Sequence, residues 1–443
     1  MHRVLSLYDS KHRALSAVPK RRHEVGMYVC GPTVYQRAHI GNARPFVIFS
    51  WLKQWLEAGG RRVTFVHNIT DVNDKIYEAA PDASAELATR AAGWYMEDIG
   101  ALGVGMPDAM PKVTECMPEI VSLISRLVDS GHAYESGGDV YFRVNSYRDY
   151  GSLSGRTGRD LDNAEPSALK DDPRDFAMWK ATKPGEDTHW PSPWGPGRPG
   201  WHIECSAMAL KHLGSTFDIH GGGIDLLFPH HENEEAQSRS AGDGFARIWM
   251  HNGMLEFAGE KMSKSLGNAQ TIREALNAWG RETLLALFLG THWHSPMEYS
   301  PTTLRAAAAR LDTLVDAAHT VPAREAPNTE WGRVAAVLDE SFNTPAALAI
   351  AHEWMSKGYH DLAARLLSLF GLGNIVQRIP VPEQVRDLAR RRAEARIRKD
   401  FETADRLRAT MGEAGWTVRD AGEGSELVPT HKVFRVGRED DVS

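Results

Sequence analysis

The pattern of hydrophobic and polar positions near the start of the chain predicts a strand, a helix and a second strand. Apolar side chains cluster at 24–29 and at 63–66, in runs short enough for buried strands, and residues 46–56 carry apolar side chains with helical spacing. Gly59 and Gly60 end that helix before the second run begins. Such a succession predicts two parallel strands, whose carboxyl ends are the usual place for ligands.

The following part of the chain mixes helices, strands and loops. Helical spacing of apolar side chains at 120–128 ends at Gly131, and residues 139–144 have the composition of a strand. The segment 183–201 is rich in Pro, Gly and Trp. We expect an ordered loop there, because flexible linkers seldom carry several tryptophans.

Beyond residue 301 the pattern becomes that of helices rich in Ala and Leu. Breaks are predicted at 321–330 and at 371–382, where Pro and Gly interrupt the helical spacing. Residues 386–408 are predicted to form one basic helix, with nine Arg or Lys against five Asp or Glu. The chain has no internal repeat and no low-complexity tract.

Length and composition limit the class of protein. A chain of 443 residues predicts roughly two to four domains. Its hydrophobic content of 42% and charged content of 25% are ordinary for a globular protein. The sequence has no apolar run long enough for a membrane-spanning helix, so we expect no membrane partner. The net charge of −7 restricts any nucleic-acid surface to a local patch.

The cysteines indicate a compartment as well as chemistry. Cys30, Cys116 and Cys205 are too few for a disulfide framework and favour a reducing environment. The first 25 residues are basic but lack the apolar stretch of a secretion signal, and chemistry that begins at Cys30 disfavours a cleaved transit peptide. We expect a cytoplasmic protein. Cys116 lies among helically spaced apolar residues and is predicted to belong to a core.

Two of the cysteines and a polar segment offer the ligands of a metal site. Cys30 and Cys205 are far apart in the sequence, and a lone cysteine is usually a small buried apolar residue. His230 and Glu234 lie four positions apart, which on a helix places an imidazole and a carboxylate on one face. Two thiolates, one imidazole and one carboxylate suit a four-coordinate zinc ion. His231 is the rival imidazole, and an ordinary acidic helix start is the structural alternative.

Three segments have features of a nucleotide site. Residues 39–42 read HIGN at the predicted start of the first helix, where unpaired N–H groups attract a phosphate and His39 can donate to it. Residues 261–268 read KMSKSLGN, and their lysines offer positive charge to a departing pyrophosphate. Residues 220–225 read HGGGID, a glycine run that admits a flat base or forms a tight turn. Neither a Walker loop nor a dinucleotide glycine fingerprint accompanies them.

In combination these segments resemble the signature of cysteinyl-tRNA synthetases. Residues 28–35 read YVCGPTVY and residues 39–44 read HIGNAR, as at the opening of that family. Residues 200–208 read GWHIECSAM and residues 228–234 read FPHHENE, which resemble its later zinc-binding segments. Residues 261–268 resemble its lysine loop. The resemblance covers nearly the whole chain and weakens toward the C-terminus.

The resemblance implies an α/β protein of the class I synthetase type. It implies a Rossmann-type parallel-sheet catalytic domain with an insertion, followed by an α-helical bundle and a small C-terminal domain. The expected segments are the first half of the catalytic domain at 1–135, the insertion at 136–199, the second half with the zinc ligands at 200–250, a connecting segment with the lysine loop at 251–300, the bundle at 301–378 and a terminal tRNA-binding domain at 379–443.

The resemblance also implies the residues of the site. The implied zinc ligands are Cys30, Cys205, His230 and Glu234. The implied amino-acid pocket includes Gly31, Thr70 and Trp201. The implied ATP-binding residues are His39, Gly41, Asn42 and Lys264. The implied catalytic residues are His39, Asn42, Lys261 and Lys264.

The implied activity is the ATP-dependent joining of cysteine to tRNA. L-Cysteine and Mg-ATP would form cysteinyl-adenylate and pyrophosphate, and the terminal ribose of tRNA(Cys) would then take the cysteine. An apolar pocket separates such near-isosteres as cysteine and serine only about 100-fold, whereas a zinc ion prefers a thiolate to a hydroxyl. We expect a monomer whose basic segment 386–408 holds tRNA phosphates, with an ordinary charged surface helix as the alternative.

The chain departs from the family pattern at several positions. Asn42 stands where the commoner form has histidine, and Gln36 and Asn73 stand where aspartate is usual. The helical segment 331–370 is short for the bundle. Residues 420–427 lack the tryptophan expected after a glycine there, so anticodon recognition is the least supported inference.

Three other functions compete with this interpretation. A ligase joining cysteine to an amino-sugar inositol in mycothiol synthesis shares the zinc and ATP sites, but the forms of 31–35 and 261–265 and the basic terminal segment argue against it. A non-catalytic tRNA-binding paralogue would have no need of both His39 and Lys264. A zinc hydrolase would find a base in Glu232, but its lysine loop would have no role.

Overall fold

A computed structural model describes residues 4–19, 24–157, 167–257, 260–261, 270–421 and 424–436. The chain divides into two compact units. The first unit comprises Met1–Glu274, Trp293–Met297 and Asp339–Phe342. The second comprises Ala275–His292, Glu298–Leu338 and Asn343–Ser443.

Strands and helices alternate through the first unit, whereas the second unit is mainly helical. The strands are β1 (Ser6–Asp9), β2 (Ala14–Ala17), β3 (Glu24–Val29), β4 (Arg62–His67), β5 (Ala133–Ser136), β6 (Asp139–Phe142), β7 (Phe176–Ala181), β8 (Gly197–Pro199), β9 (Thr216–Gly223), β10 (Phe245–Asn252), β11 (Leu255–Phe257), β12 (Glu260–Lys261), β13 (Met297–Glu298), β14 (Trp416–Ala421) and β15 (Gly424–Pro429). The helices are α1 (Ile40–Ala58), α2 (Asp74–Ala79), α3 (Ser84–Ala101), α4 (Met117–Asp129), α5 (Trp201–Leu213), α6 (Glu232–Ser240), α7 (Ile272–Trp279), α8 (Arg281–Leu289), α9 (Pro301–Thr320), α10 (Trp331–Leu338), α11 (Thr344–Lys357), α12 (His360–Ser368), α13 (Glu383–Ile397), α14 (Phe401–Glu413) and α15 (Val433–Val436).

The first unit contains a four-stranded parallel sheet. Its strand order is β10-β9-β3-β4, and each neighbouring pair is parallel. Consecutive side chains of β3 from Met27 to Val29 are buried, as expected of a parallel sheet covered on both faces. The predicted strand–helix–strand unit and the α/β class with a Rossmann-type core are confirmed.

Helix α1 connects β3 to β4 and packs closely on the sheet. Its buried side chains include Phe46 and Phe49. A Cβ at Gly221 of β9 would lie 2.1 Å from Cζ of Phe49, so only glycine permits this approach. The helix ends at Ala58, and Gly60 follows at a φ of 82°. The predicted helix end is therefore confirmed.

A second sheet lies between the two halves of the parallel sheet in the sequence. Its order is β5-β6-β7-β8, and all pairs are antiparallel. The strand predicted at 139–144 ends earlier, at Phe142, because Val144–Ser146 form a 3₁₀ turn. The loop predicted at 183–201 is ordered by a bridge between Trp190 and Gly197, and part of it forms β8.

The second unit contains helices α8 to α14 and the hairpin β14–β15. The helix predicted beyond residue 301 is α9, whose start is capped by the Ser300 side chain accepting from the Thr303 N–H at 3.2 Å. The predicted break at 321–330 is confirmed, since α10 begins at Trp331. A small core around Met411 and Trp416 joins the last helices to the hairpin.

The prediction of a single helix over 386–408 is wrong. The segment belongs to two helices, α13 and α14, separated at Lys399, whose φ is 60°. Asp400 caps α14 by accepting from the Thr403 N–H at 3.1 Å. A residue whose backbone is in the left-handed region does not continue a right-handed helix, and the aspartate cap begins a new one. The basic segment is thus a helical hairpin.

In the part of the chain that the structure describes, no helix combines the length and the apolar character needed to cross a bilayer.

Candidate metal centre and nucleotide cavity

Two thiols meet at the carboxyl end of the parallel sheet. Cys30 follows the last residue of β3, and Cys205 lies in the second turn of α5. Their sulfur atoms are 3.7 Å apart, and both residues are buried and not joined in a disulfide. Oε1 of Glu234, on α6, lies 3.4 Å from the Cys30 sulfur. Three elements distant in sequence therefore place soft and hard donors side by side.

The fourth predicted ligand comes from the turn before α6. His230 lies in the turn Leu227–His231, and its Nε2 is 3.1 Å from Oε1 of Glu234. His230 therefore lies just before α6 and Glu234 within it, so the two residues do not share one regular helix as predicted. Their side chains still converge. One donor atom from each of Cys30, Cys205, His230 and Glu234 lies within 4.8 Å of all the others.

A second grouping shares two of these residues. Cys30 and Glu234 also lie within 4.8 Å of His220 and His231. His220, at Nε2, is 2.9 Å from Oε2 of Glu234, whereas His231 is 3.9 Å from Oε1. Nδ1 of His231 instead lies 2.8 Å from His251. His220 falls in the nucleotide candidate 220–225, and the sequence predicts no metal role for it, because its one signal is its place directly before the glycine run of β9.

Burial controls the protonation of these ligands. It raises the pKa of the Cys30 thiol well above its usual range and also raises the pKa of Cys205. Burial, and then the neighbouring His202 and His220, lower the pKa of His230 well below its usual range. The pocket by itself therefore keeps the thiols and the imidazole neutral. A cation with affinity for sulfur reverses this for the thiols, so the donor set fits a zinc ion.

A cavity of about 480 Å³ opens beside these ligands. It is lined at the carboxyl ends of the parallel strands by residues of several loops. They include Cys30, Gly31, Gln36, His39, Gly41, Asn42, His67, Lys75, Tyr95, Trp201, Gly223, Asp225 and Asn252. The cavity therefore brings the predicted metal, amino-acid and phosphate positions to one place.

The residues expected to bind the amino acid occupy different depths. Trp201 lines the cavity, is 37% exposed, and stacks on His230 with ring centroids 4.1 Å apart. Gly31 lines the cavity and donates its N–H to Oδ1 of Asn68 at 2.9 Å. Thr70 lies behind it, because it is buried, is not among the lining residues, and donates its hydroxyl to Glu204 at 3.2 Å.

The start of α1, where a phosphate is predicted to bind, lines one side of the cavity. His39 is the N-cap residue of this helix, and Gly41 and Asn42 follow in its first turn. The Ile40 N–H donates to the Gln270 carbonyl at 2.8 Å, which places Gln270 beside the helix start. Lys264 lies outside the described residues. Of Lys261 only the backbone is described, in the short strand β12.

A histidine–tyrosine pair missed by the sequence reasoning also lines the cavity. Nδ1 of His67 lies 3.0 Å from the Val29 carbonyl, which can only accept, so this nitrogen carries the proton. Burial lowers the pKa of His67 to about 4, so its Nε2 is unprotonated at neutral pH. The Tyr95 hydroxyl therefore donates to Nε2 at 2.7 Å. No local motif around 67 or 95 signals this contact.

Two family models match most of the chain. The model described as tRNA synthetases class I (C) catalytic domain matches residues 16–309. The model described as cysteinyl-tRNA ligase anticodon binding domain matches residues 380–426.

Curated relatives match over nearly their full lengths. The chain is 42% identical to a cysteine–tRNA ligase of Methylobacillus flagellatus, over 95% of this chain and 99% of the relative. It is 40% identical to that of Pseudothermotoga lettingae, over 90% of this chain and 94% of the relative. It is 39% identical to that of Streptococcus pneumoniae, over 95% of this chain and 99% of the relative.

Solved structures share the fold. A methionyl-tRNA synthetase of Mycobacterium tuberculosis in complex with methionyl-adenylate has a TM-score of 0.59 and 16% sequence identity, covering 80% of this chain and 89% of that one. A putative arginyl-tRNA synthetase of Campylobacter jejuni has a TM-score of 0.51 and 11% identity, covering 80% and 90%.

Proposed function

The chain belongs to the cysteinyl-tRNA ligase family of class I synthetases, and from that premise we propose that Cys30, Cys205, His230 and Glu234 hold a zinc ion that selects the thiol of cysteine. The chain is an ATP-dependent aminoacyl-tRNA ligase. The observation that carries the proposal is the approach of four buried donor atoms to within 4.8 Å of one another beside the cavity.

Selection has a simple chemical basis. A bound zinc ion supplies a soft Lewis acid, which favours a thiolate ligand and lowers the pKa of the thiol. Serine offers a hydroxyl at the same place, and a hydroxyl is a weaker ligand for such an ion. Binding a metal through Nε2 of His230 requires a proton on Nδ1, which then donates to Nδ1 of His202 at 2.9 Å. This hydrogen bond would fix the orientation of the His230 ring.

Activation would take place at the start of α1. The carboxylate of cysteine attacks the α-phosphorus of ATP, forming the acyl–phosphate bond while the bond to pyrophosphate breaks. His39 and the positive end of the α1 helix dipole face the phosphates and stabilise the added negative charge, and Asn42 hydrogen-bonds the nucleotide. Lys261 and Lys264 are proposed to bind the departing pyrophosphate. A ribose hydroxyl of tRNA then attacks the adenylate, and AMP leaves.

The partner is proposed to be tRNA(Cys), held in part by the helical hairpin α13–α14. Ile397 is 82% exposed and Phe401 is 62% exposed, and both lie at the junction of the two helices beside the exposed cations Arg398 and Lys399. Exposed apolar rings with adjacent cations suit unpaired bases and phosphates of RNA. The match of residues 380–426 to the anticodon-binding model supports this placement.

The test compares wild type with Cys205→Ser in charging purified tRNA with cysteine and, side by side, with serine. We expect wild type to hold one zinc ion per chain and to charge cysteine in strong preference to serine. Cys205→Ser should lose zinc and cysteine-dependent pyrophosphate exchange, because a hydroxyl is a poor substitute for the thiolate ligand.

Lys264→Ala is the matched control, since it should keep zinc and lose mainly the rate of exchange. Full metal content and full activity in Cys205→Ser would remove this residue from the site. Pyrophosphate exchange without charging of tRNA would instead favour a ligase with another acceptor, such as the mycothiol-pathway enzyme.

A further inference from the structure

A buried carboxylate outside the cavity joins the two chain segments that meet at the start of α1. Asp98, on α3, is fully buried. Nη1 of Arg37 donates to both of its oxygens, at 2.8 and 3.0 Å, and Nε of Arg273 donates to Oδ1 at 2.9 Å. A carboxylate removed from water in this way needs such charged donors, so the three side chains constrain one another.

The two arginines approach His39 from different parts of the sequence. Arg37 precedes His39 by two positions, in the connection from β3 to α1, and Arg273 lies in the first turn of α7. Backbone hydrogen bonds of 2.8 and 2.9 Å join residues 38–40 to residues 270–272. Asp98, on α3, thus binds one side chain from each of the two segments, Arg37 from the first and Arg273 from the second.

Two arginines and two carboxylates form this cluster, namely Arg37, Arg273, Glu97 and Asp98. Their charges balance, but solvent screens the two carboxylates to different degrees. Glu97, the neighbour of Asp98, lies 3.5 Å from Nη2 of Arg37 and 3.2 Å from Nη2 of Arg273, and its side chain is 58% exposed. Solvent screens the Glu97 pairs much more than those of the buried Asp98. The fixed geometry of the cluster therefore depends on Asp98.

We propose that Asp98 is a positioning residue for adenylate formation. Through Arg37 and Arg273 it fixes the segment that carries His39, and hence the direction in which that side chain and the start of α1 face the phosphates of ATP. This inference rests on the proposed role of His39. Asp98 is absent from the described residues that line the cavity, so it acts through the arginines. A displacement of about 1 Å in such a group costs about 100-fold in rate.

The experiment uses Asp98→Asn in the full chain, with cysteine-dependent pyrophosphate exchange as the assay. The amide keeps the size of the side chain and removes its charge. We expect kcat per active site, counted by the burst of bound adenylate, to fall about 10- to 100-fold. Zinc content and the KM for cysteine should stay unchanged, because the cluster contacts none of the four proposed ligands. Loss of stability alone would reduce the number of active sites and leave kcat per site unaltered.

Three further variants make each outcome decisive. Glu86→Gln, which changes an exposed carboxylate on the same helix, should behave as wild type. Arg37→Met changes a side chain that is 32% exposed, and it should lower kcat about 3- to 10-fold. This variant tests the positioning role if Asp98→Asn does not fold. An unchanged kcat in folded Asp98→Asn or in Arg37→Met overturns the inference. An unchanged kcat in His39→Ala overturns the proposed role of His39 instead.

Discussion

At the scale of single residues, the proposed metal ligands contact side chains for which the sequence predicts no role at the metal site. His202 lies behind His230, with the two Nδ1 atoms 2.9 Å apart, and burial lowers the pKa of His202 to about 3. Nδ1 of His220 lies 3.1 Å from the Tyr28 carbonyl, which directs its Nε2 toward Glu234. The neutral imidazole of His202 is therefore suited to orient the proposed ligand His230 without adding positive charge beside a bound cation.

Gly31 is the residue whose replacement should disturb the site most directly. A Cβ at this position would lie 1.6 Å from the Asn68 carbonyl oxygen, so the chain must shift next to Cys30. We expect Gly31→Ala to lower the free energy of unfolding by about 1–3 kcal/mol and to raise the KM for cysteine. Urea unfolding and pyrophosphate exchange measure the two effects.

Gly93→Ala is the matched control for that substitution. Gly93 is exposed in α3, and a Cβ there meets no atom within 4 Å. Alanine should raise the free energy of unfolding by up to about 1 kcal/mol through its helix propensity. A Gly31→Ala protein as stable as wild type, with the same KM for cysteine, would show that the backbone near Cys30 relaxes freely.

The sequence predicted the four donor residues but not their surroundings. Cys30, Cys205, His230 and Glu234 stand in long segments typical of the family, so their types and order were sufficient to predict that they lie together. His220, Asn68 and Glu204 stand in the site because strands and helices distant in sequence come together, and no local spacing records that. Thr70 lies behind the cavity because its hydroxyl donates to Glu204, a buried acceptor that the pattern did not reveal.

At the scale of elements, the short helix α2 shows how a departure from the family pattern is accommodated. Asn73 precedes α2, and its side chain accepts from the Lys75 N–H at 3.2 Å, so it is the N-cap. Asparagine and aspartate are about equally good at this position. The helix carries Lys75, which lines the cavity, and Asp74, which pairs with Lys180 at 3.2 Å.

We therefore expect Asn73→Asp to leave turnover and stability nearly unchanged, within about 0.5 kcal/mol in the free energy of unfolding. Asn73→Ala should cost about 1 kcal/mol, because the Lys75 N–H loses its acceptor. Denaturant unfolding and steady-state exchange compare the two variants. A large gain in turnover for Asn73→Asp would mean that the carboxylate has a chemical role beyond the cap.

The elements were predicted best where periodicity is long and worst where a single residue ends them. Helix α1 and strands β3 and β4 follow from their apolar runs and the glycine pair after Ala58. The division of 386–408 was missed because Ala, Arg and Leu continue the helical spacing on both sides of Lys399. The sequence signal of a new helix start is a single capping residue, Asp400, which lies three positions before Thr403. One such residue is too little to predict a break in the helical spacing.

At the scale of the whole molecule, charge is distributed so that a net negative chain has a local cationic surface. The chain carries a net charge of −7, yet residues 386–408 hold nine basic and five acidic side chains. Arg390 is paired with Asp387 and Glu394, and Arg392 is buried. Arg398 and Lys399 are exposed at the junction of α13 and α14. They lie beside the exposed side chains of Ile397 and Phe401, so they are the cations that we choose to test for contact with phosphates.

The double variant Arg398→Gln, Lys399→Gln tests whether this junction binds tRNA through charge. Each lost phosphate contact should lower the salt slope of the binding constant by roughly 1, so we expect a decrease of about 1 to 2 and weaker binding at low salt. Cysteine-dependent pyrophosphate exchange needs no tRNA and should be unchanged, which separates a lost surface from a damaged enzyme. If the double variant has the same salt slope of the binding constant as wild type, the tRNA phosphates bind elsewhere. Exposed cations whose loss does not change the number of counterions released on binding do not contact the nucleic acid.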